Sequence, residues 1–194
     1  MFPATITESS KLLILGTLPP DDRSWYYEED ELMWKILETA TGKNSGNTEE
    51  SRKQFLERNK IALWDVLKYG ERKKGNKSSD SFTNRIPNDI WGNLQNIEVI
   101  ITNGCSKAFK WLKKGKKNDF KEIKSEGYWI WNNKIKVYPL YSTSYIRNKG
   151  RGKLRPEEQE EWKNKWIETI KKSLNLTENK PDGPRAFIVK KNKM

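Results

Sequence analysis

Three short apolar runs, each cut off by a turn residue, constrain this chain more than anything else in its sequence. Lys11-Leu12-Leu13-Ile14-Leu15-Gly16 is closed by glycine, and Ile97-Glu98-Val99-Ile100-Ile101-Thr102 is stopped by Asn103-Gly104. Lys134-Ile135-Lys136-Val137-Tyr138-Pro139-Leu140 alternates at first and is punctuated by proline. Such runs read as strands, the first of them buried on both faces. The segments between them read as helical. Leu32, Trp34, Ile36 and Leu37 form one apolar stripe, and Ala108, Trp111 and Leu112 form another within a Lys-rich stretch. Strands alternating with helices predict an α/β sandwich with a mainly parallel sheet.

The clearest helix runs from Pro156 to about Leu174. Proline suits its first turn, and Glu157, Glu158, Glu160 and Glu161 suit its positive end. Trp162, Trp166, Ile167 and Ile170 share one face, and Lys171 and Lys172 close the last turn, so this is a packing helix. Thr41 to Ser51 and Lys73 to Ser81 lack periodicity and read as surface loops. The expected organisation is a single domain over 1–174, with a polar, basic tail over 175–194 in which Phe187-Ile188-Val189 is a candidate last short strand. A length of 194 residues suits one domain with a sizeable core.

Composition removes much chemistry. The chain has no histidine and one cysteine, Cys105. Ser-His and Cys-His nucleophile pairs, imidazole acid-base catalysis, His/Cys zinc sites and four-thiolate iron-sulfur clusters are therefore excluded. One thiol forms no internal disulfide, which suits a reducing cytosol. No apolar stretch approaches the length of a membrane span, and Met1-Phe2-Pro3 does not open a signal peptide, so a cytoplasmic protein is expected. Cys105 itself reads as a small buried filler.

The formal charge of +12 is unevenly spread. Residues 1–60 carry 8 basic and 11 acidic side chains, and residues 61–194 carry 30 and 15. A basic surface over two thirds of a chain attracts a polyanion, most simply nucleic acid; a Lys- and Asn-rich composition with merely solvated lysines is the bland alternative.

In such a fold ligands sit beyond the carboxyl ends of the strands, so three loops matter. Gly16-Thr17-Leu18-Pro19-Pro20 makes a rigid turn, followed by Trp25-Tyr26-Tyr27 and the carboxylates Glu28, Glu29, Asp30 and Glu31. A flipped nucleobase needs an aromatic face, and hydrolysis of its glycosidic bond needs a group to hold water; a solvated helix start and a core tyrosine would give the same residues. Asn103 ends the second strand with a donor and an acceptor suited to a base edge, or simply closes a turn. Tyr141-Ser142-Thr143-Ser144-Tyr145-Ile146-Arg147-Asn148-Lys149-Gly150-Arg151 offers hydroxyls for phosphate, Tyr145 and Ile146 as a wedge into a base stack, and cations for a DNA backbone. A flexible basic loop reads the same way.

Taken in order, these segments resemble the uracil-DNA glycosylase superfamily, and most closely its mismatch-specific uracil and hypoxanthine branches. The motifs are Leu13-Ile14-Leu15-Gly16-Thr17-Leu18-Pro19, Tyr26-Tyr27, Met33-Trp34-Lys35-Ile36-Leu37, Lys60-Ile61-Ala62-Leu63-Trp64-Asp65-Val66 with Arg72 and Ser78-Ser79-Asp80, Thr102-Asn103-Gly104, and Leu140-Tyr141-Ser142-Thr143-Ser144. The chain departs from the pattern where the family places a helix-opening Asn: Glu31 stands there, with Asp30 a second candidate. Leu18 stands where another branch has Asn, and Tyr145-Ile146 replaces Pro-Ala.

The resemblance implies a three-layer α/β/α sandwich with a short, mainly parallel central sheet. It also implies a monofunctional DNA glycosylase that flips out a base and leaves an abasic site, with no cofactor and no metal. Glu31 or Asp30 would be the catalytic carboxylate. Thr17, Leu18, Pro19, Tyr27 and Asn103 would hold the base. Ser142, Thr143, Ser144, Tyr145, Ile146, Arg147, Lys149 and Arg151 would hold DNA. Asp65, Arg72 and Asp80 are read as structural, tying down a loop. The substrate is either a deaminated base such as uracil or hypoxanthine, in repair, or a hypermodified phage base such as glucosylated 5-hydroxymethylcytosine, in defence. The alternative is a catalytically inactive DNA-binding protein on the same fold, and a metal-dependent nuclease is a third reading. DNA is the expected partner, with no membrane, and the expected state is a monomer.

Overall fold

A computed structural model of the chain describes residues 4–18, 31–72, 82–147 and 154–176, the side chains of Glu31, Arg72, Phe82 and Arg147 excepted. Pro19, Tyr27, Asp30, Lys149 and Arg151 therefore lie outside the described residues. So do Asp80, the segment Lys73 to Ser81 and Phe187-Ile188-Val189.

The expected runs are strands β1 (Leu12–Gly16), β5 (Val99–Asn103) and β8 (Ile135–Leu140). A fourth parallel strand, β2 (Ile61–Asp65), lies on the far side of β1. Two antiparallel strands, β6 (Phe120–Ile123) and β7 (Tyr128–Trp131), extend the other edge, giving the order β2-β1-β5-β8-β7-β6. The first four strands in that order run parallel, so the sheet is mainly parallel as expected. A separate ribbon pairs β3 (Leu67–Arg72) with β4 (Phe82–Pro87) antiparallel.

Helices cover both faces. α1 (Glu31–Thr41), α2 (Glu49–Arg58), α4 (Thr143–Arg147) and α5 (Pro156–Ser173) lie on one face. There Met33, Trp34, Ile36, Leu37, Phe55, Leu56, Ile146, Trp166 and Ile170 pack with Leu12, Ile14, Leu63 and Ile101. α3 (Ala108–Leu112) and the short turn Trp91–Asn93 cover the other face, where Phe109 and Leu112 pack with Leu13, Leu15, Ile100 and Val137. This is the three-layer sandwich.

One expected loop is corrected. Thr41 to Ser51 reaches into α2, which begins at Glu49 because Thr48 and Ser51 cap it reciprocally, the Ser51 N–H donating to Thr48 Oγ1 at 3.1 Å. α5 ends at Ser173, close to its expected limit.

Candidate active site

Strand register decides which side chains share the mouth of the sheet. Gly16 on β1 is opposite Asp65 on β2, Leu15 is opposite Thr102 on β5, and Asn103 is opposite Leu140 on β8. Asp65, Gly16, Asn103 and Leu140 thus form one row across the carboxyl ends of four parallel strands. Side chains alternate along a strand. Leu12, Ile14, Ile61, Leu63, Val99, Ile101 and Leu140 all face α1, α2, α4 and α5, so Asp65 and Asn103 face that layer too. Between them stands Gly16, which has no side chain. Two strand spacings put Asp65 and Asn103 roughly 10 Å apart.

Asn103 is fixed by the third loop. Its Oδ1 accepts the Thr143 backbone N–H at 2.9 Å, and its Nδ2 lies 3.4 Å from Thr143 Oγ1. Gly104 turns the chain directly after it: at φ +133 its N–H reaches Thr102 O at 2.9 Å and Leu140 O at 3.0 Å. Only glycine holds that φ without strain. Asn103 therefore joins β5 to the start of α4, on the same end of the sheet as the row.

The third loop divides into anchors and exposed groups. Ser142 opens α4, accepting the Tyr145 N–H at Oγ (3.2 Å), and its Oγ lies 3.2 Å from Ser144 Oγ. Ser144 and Tyr145 are exposed. Thr143 and Ile146 are each 0% exposed. Two expectations are overturned here. Ile146 sits in the core beneath α1 and α5, so it cannot wedge into a base stack. Thr143, buried against Asn103, cannot clamp a phosphate with its side chain. Tyr141, which sequence reasoning did not single out, packs against Tyr145 (5.3 Å between ring centroids) and Trp162 (4.2 Å). Its carbonyl accepts the Trp166 indole N–H at 2.9 Å, so α5 holds this loop.

Thr17 and Leu18 continue from β1 and are half-buried. The Thr17 carbonyl accepts the Leu67 N–H at 3.1 Å, and Leu18 packs toward the opposite face. Glu31 is the first residue of α1, which also touches α4. On α2, the Arg52 guanidinium lies 4.5 Å from the Trp34 ring centroid.

Asp65 ties the chain through its backbone: its carbonyl accepts Asn88 Nδ2 at 2.8 Å, while its carboxyl makes no hydrogen bond or ion pair among the described residues. The Arg72 side chain and Asp80, expected to share the structural role, lie outside the described residues. Asp65 is 6% exposed, and burial alone pushes its pKa from 3.8 to about 7. The signal in the sequence was a charged residue ending an apolar strand, which by itself does not separate burial from exposure. Cys105 is partly buried rather than buried, and desolvation pushes its thiol pKa up.

No family model matches the chain. Over 83 residues it is 36% identical to a hypoxanthine DNA glycosylase of Methanosarcina barkeri, covering 40% of this chain and 52% of that protein. It is also 36% identical over 76 residues to one of Methanosarcina acetivorans, covering 37% and 48%. The chain thus spans about half the length of the curated relatives it matches. In fold it is similar to the solution structure of a candidate uracil DNA glycosylase from Methanosarcina acetivorans, with a TM-score of 0.59 and 26% identity over 86% of this chain and 95% of that one. The likeness to the uracil-DNA glycosylase superfamily carried by the motifs therefore holds in sequence and in fold.

Proposed function

We propose that this chain is a monofunctional DNA glycosylase, which flips a non-standard base out of DNA and hydrolyses its N-glycosidic bond. The observation that carries the reading is the row Asp65-Gly16-Asn103, two polar side chains on either side of a glycine at the carboxyl ends of the parallel strands. The named relatives and the fold neighbour support it, and the two relatives favour a deaminated base such as uracil or hypoxanthine. Repair is the role that fits such a base. A hypermodified cytosine in phage defence is the second substrate class, resting on the carboxylate that stands at position 31.

In this reading the base stacks on Tyr27, and its edge meets Asn103 and the backbone at Thr17-Leu18, with Pro19 shaping the turn. Ser142, Ser144, Tyr145, Arg147, Lys149 and Arg151 hold the DNA. Cleavage is dissociative: positive charge grows on the sugar and negative charge on the departing base. Glu31, or Asp30 beside it, stabilises the sugar cation and orients water, while N–H donors near residues 17–18 and Asn103 stabilise the base anion. No lysine nucleophile is assigned, so the product is an abasic site.

Single-turnover base release and DNA binding by the wild type and Glu31→Gln test the assignment. Release slower by about 100-fold or more with comparable binding is expected. Unchanged release would remove Glu31 from the mechanism, and no release by the wild type from uracil- or hypoxanthine-containing DNA would remove the repair reading.

A further inference from the structure

Asp65 is the buried charged group that no step above uses. It stands in the same row as Asn103, on the same face of the sheet, with only Gly16 between them. Asp65 is 6% exposed as a residue and its carboxyl has no hydrogen-bonding partner among the described residues, an arrangement costly to keep unless something else pairs with it. The surrounding elements bring Lys35 and Glu38 on α1, Arg52 on α2, Lys68 and Glu71 on β3 and Asp89 after β4. Burial is the cause that raises the pKa of Asp65.

We propose that Asp65 reads the edge of the flipped base as a carboxylic acid, donating a hydrogen bond to a base carbonyl. This inference rests on the glycosylase reading and narrows its substrate. Uracil and hypoxanthine present a carbonyl where cytosine and adenine present an amino group. A protonated carboxyl donates its O–H to that carbonyl, while its own carbonyl oxygen can still accept from an amino group, so the acid form admits both bases. Ionisation removes the donor: the carboxylate accepts from an amino group and repels a base carbonyl, so it favours the ordinary base. The protonation state of the buried carboxyl would thus decide whether a deaminated base is admitted.

The test reads recognition apart from cleavage. Duplexes carrying a non-hydrolysable 2′-fluoroarabino uracil or hypoxanthine nucleotide, and matched duplexes with cytosine or adenine there, are titrated by fluorescence anisotropy between pH 5.5 and 8.5. The affinity ratio of carbonyl-bearing to amino-bearing duplex is expected to fall about 10-fold in the wild type as pH rises through neutrality. Asp65→Asn, whose amide donates at every pH, and Asp65→Leu, which cannot titrate, should each hold the ratio flat. A ratio as pH-dependent in either variant as in the wild type would overturn the proposal, and so would a flat ratio in the wild type. Base release from hydrolysable duplexes is measured alongside. Release without an Asp65-dependent preference overturns this proposal and leaves the glycosylase reading standing. The expected preference without release upholds recognition by Asp65 and removes catalysis. Neither signal overturns both.

Discussion

At position 65 the fold encloses an acid that water would rather ionise, and its stability must record that. The carboxyl titrates at about 7 in the folded chain and near 3.8 when unfolded, so the folded state binds the extra proton between those values. Stability therefore falls as pH rises from about 4 to 7. Each pH unit across that window costs about 1.4 kcal/mol, so the loss approaches about 4 kcal/mol. Asp65→Asn should flatten this slope and be the more stable protein at pH 8, read by denaturant unfolding across the range. An unchanged slope would show that Asp65 ionises freely. Asn103→Leu should cost about 1–3 kcal/mol, because the Thr143 N–H loses its acceptor at a buried position. Ile146→Ala should cost about 2–4 kcal/mol as a core cavity, with DNA affinity kept while the chain stays folded. At this scale the sequence was only partly legible. Asn103 was singled out from its place at a strand end, but not its tie to Thr143, which spans 40 residues. Ile146 looked exposed because its neighbours are polar; only the helical turn of α4 sends it inward.

Among the elements, α5 does more than cover the sheet. Its Trp166 is fully buried and donates to the carbonyl of Tyr141, while Trp162 packs on the Tyr141 ring, so the helix sets the position of the loop after β8. Trp166→Phe removes that donor and should cost about 2 kcal/mol. It should also raise amide exchange at residues 141–147, where a purely filling role for Trp166 would leave exchange unchanged. β1, β5 and β8 were legible because turn residues or proline punctuate their apolar runs, and α5 because its stripe and end charges fix its type. β2, as short as β1, was not, because its apolar run resumes after Asp65 as Val66-Leu67 with no turn residue to close it. α2 was hidden for the opposite reason: only Phe55 and Leu56 of its residues are buried, so it shows no stripe, and its cap uses Ser51 where Glu or Gln is the usual signal.

For the molecule as a whole, the layers bring residues 16, 65 and 103 to one face, which no local motif states because it depends on parallel register between strands far apart in sequence. Charge acts at the same scale. A chain of formal charge +12 whose positive excess lies beyond residue 60 should bind DNA with an affinity that falls steeply with salt, and a flat dependence between about 50 and 200 mM would contradict an electrostatic interface. Among the described residues no helix is long and apolar enough to cross a membrane. The central claim, that the chain removes a base from DNA, is tested most directly by incubating it in EDTA with end-labelled oligonucleotides and then adding alkali. The substrates carry uracil, hypoxanthine, 5-hydroxymethylcytosine or its glucosylated form. Strand breaks at the uracil or hypoxanthine position that appear only after alkali are the predicted result. Breaks before alkali would point to a nuclease, and bound but intact DNA on every substrate would contradict the claim and leave an inactive binder on a glycosylase fold.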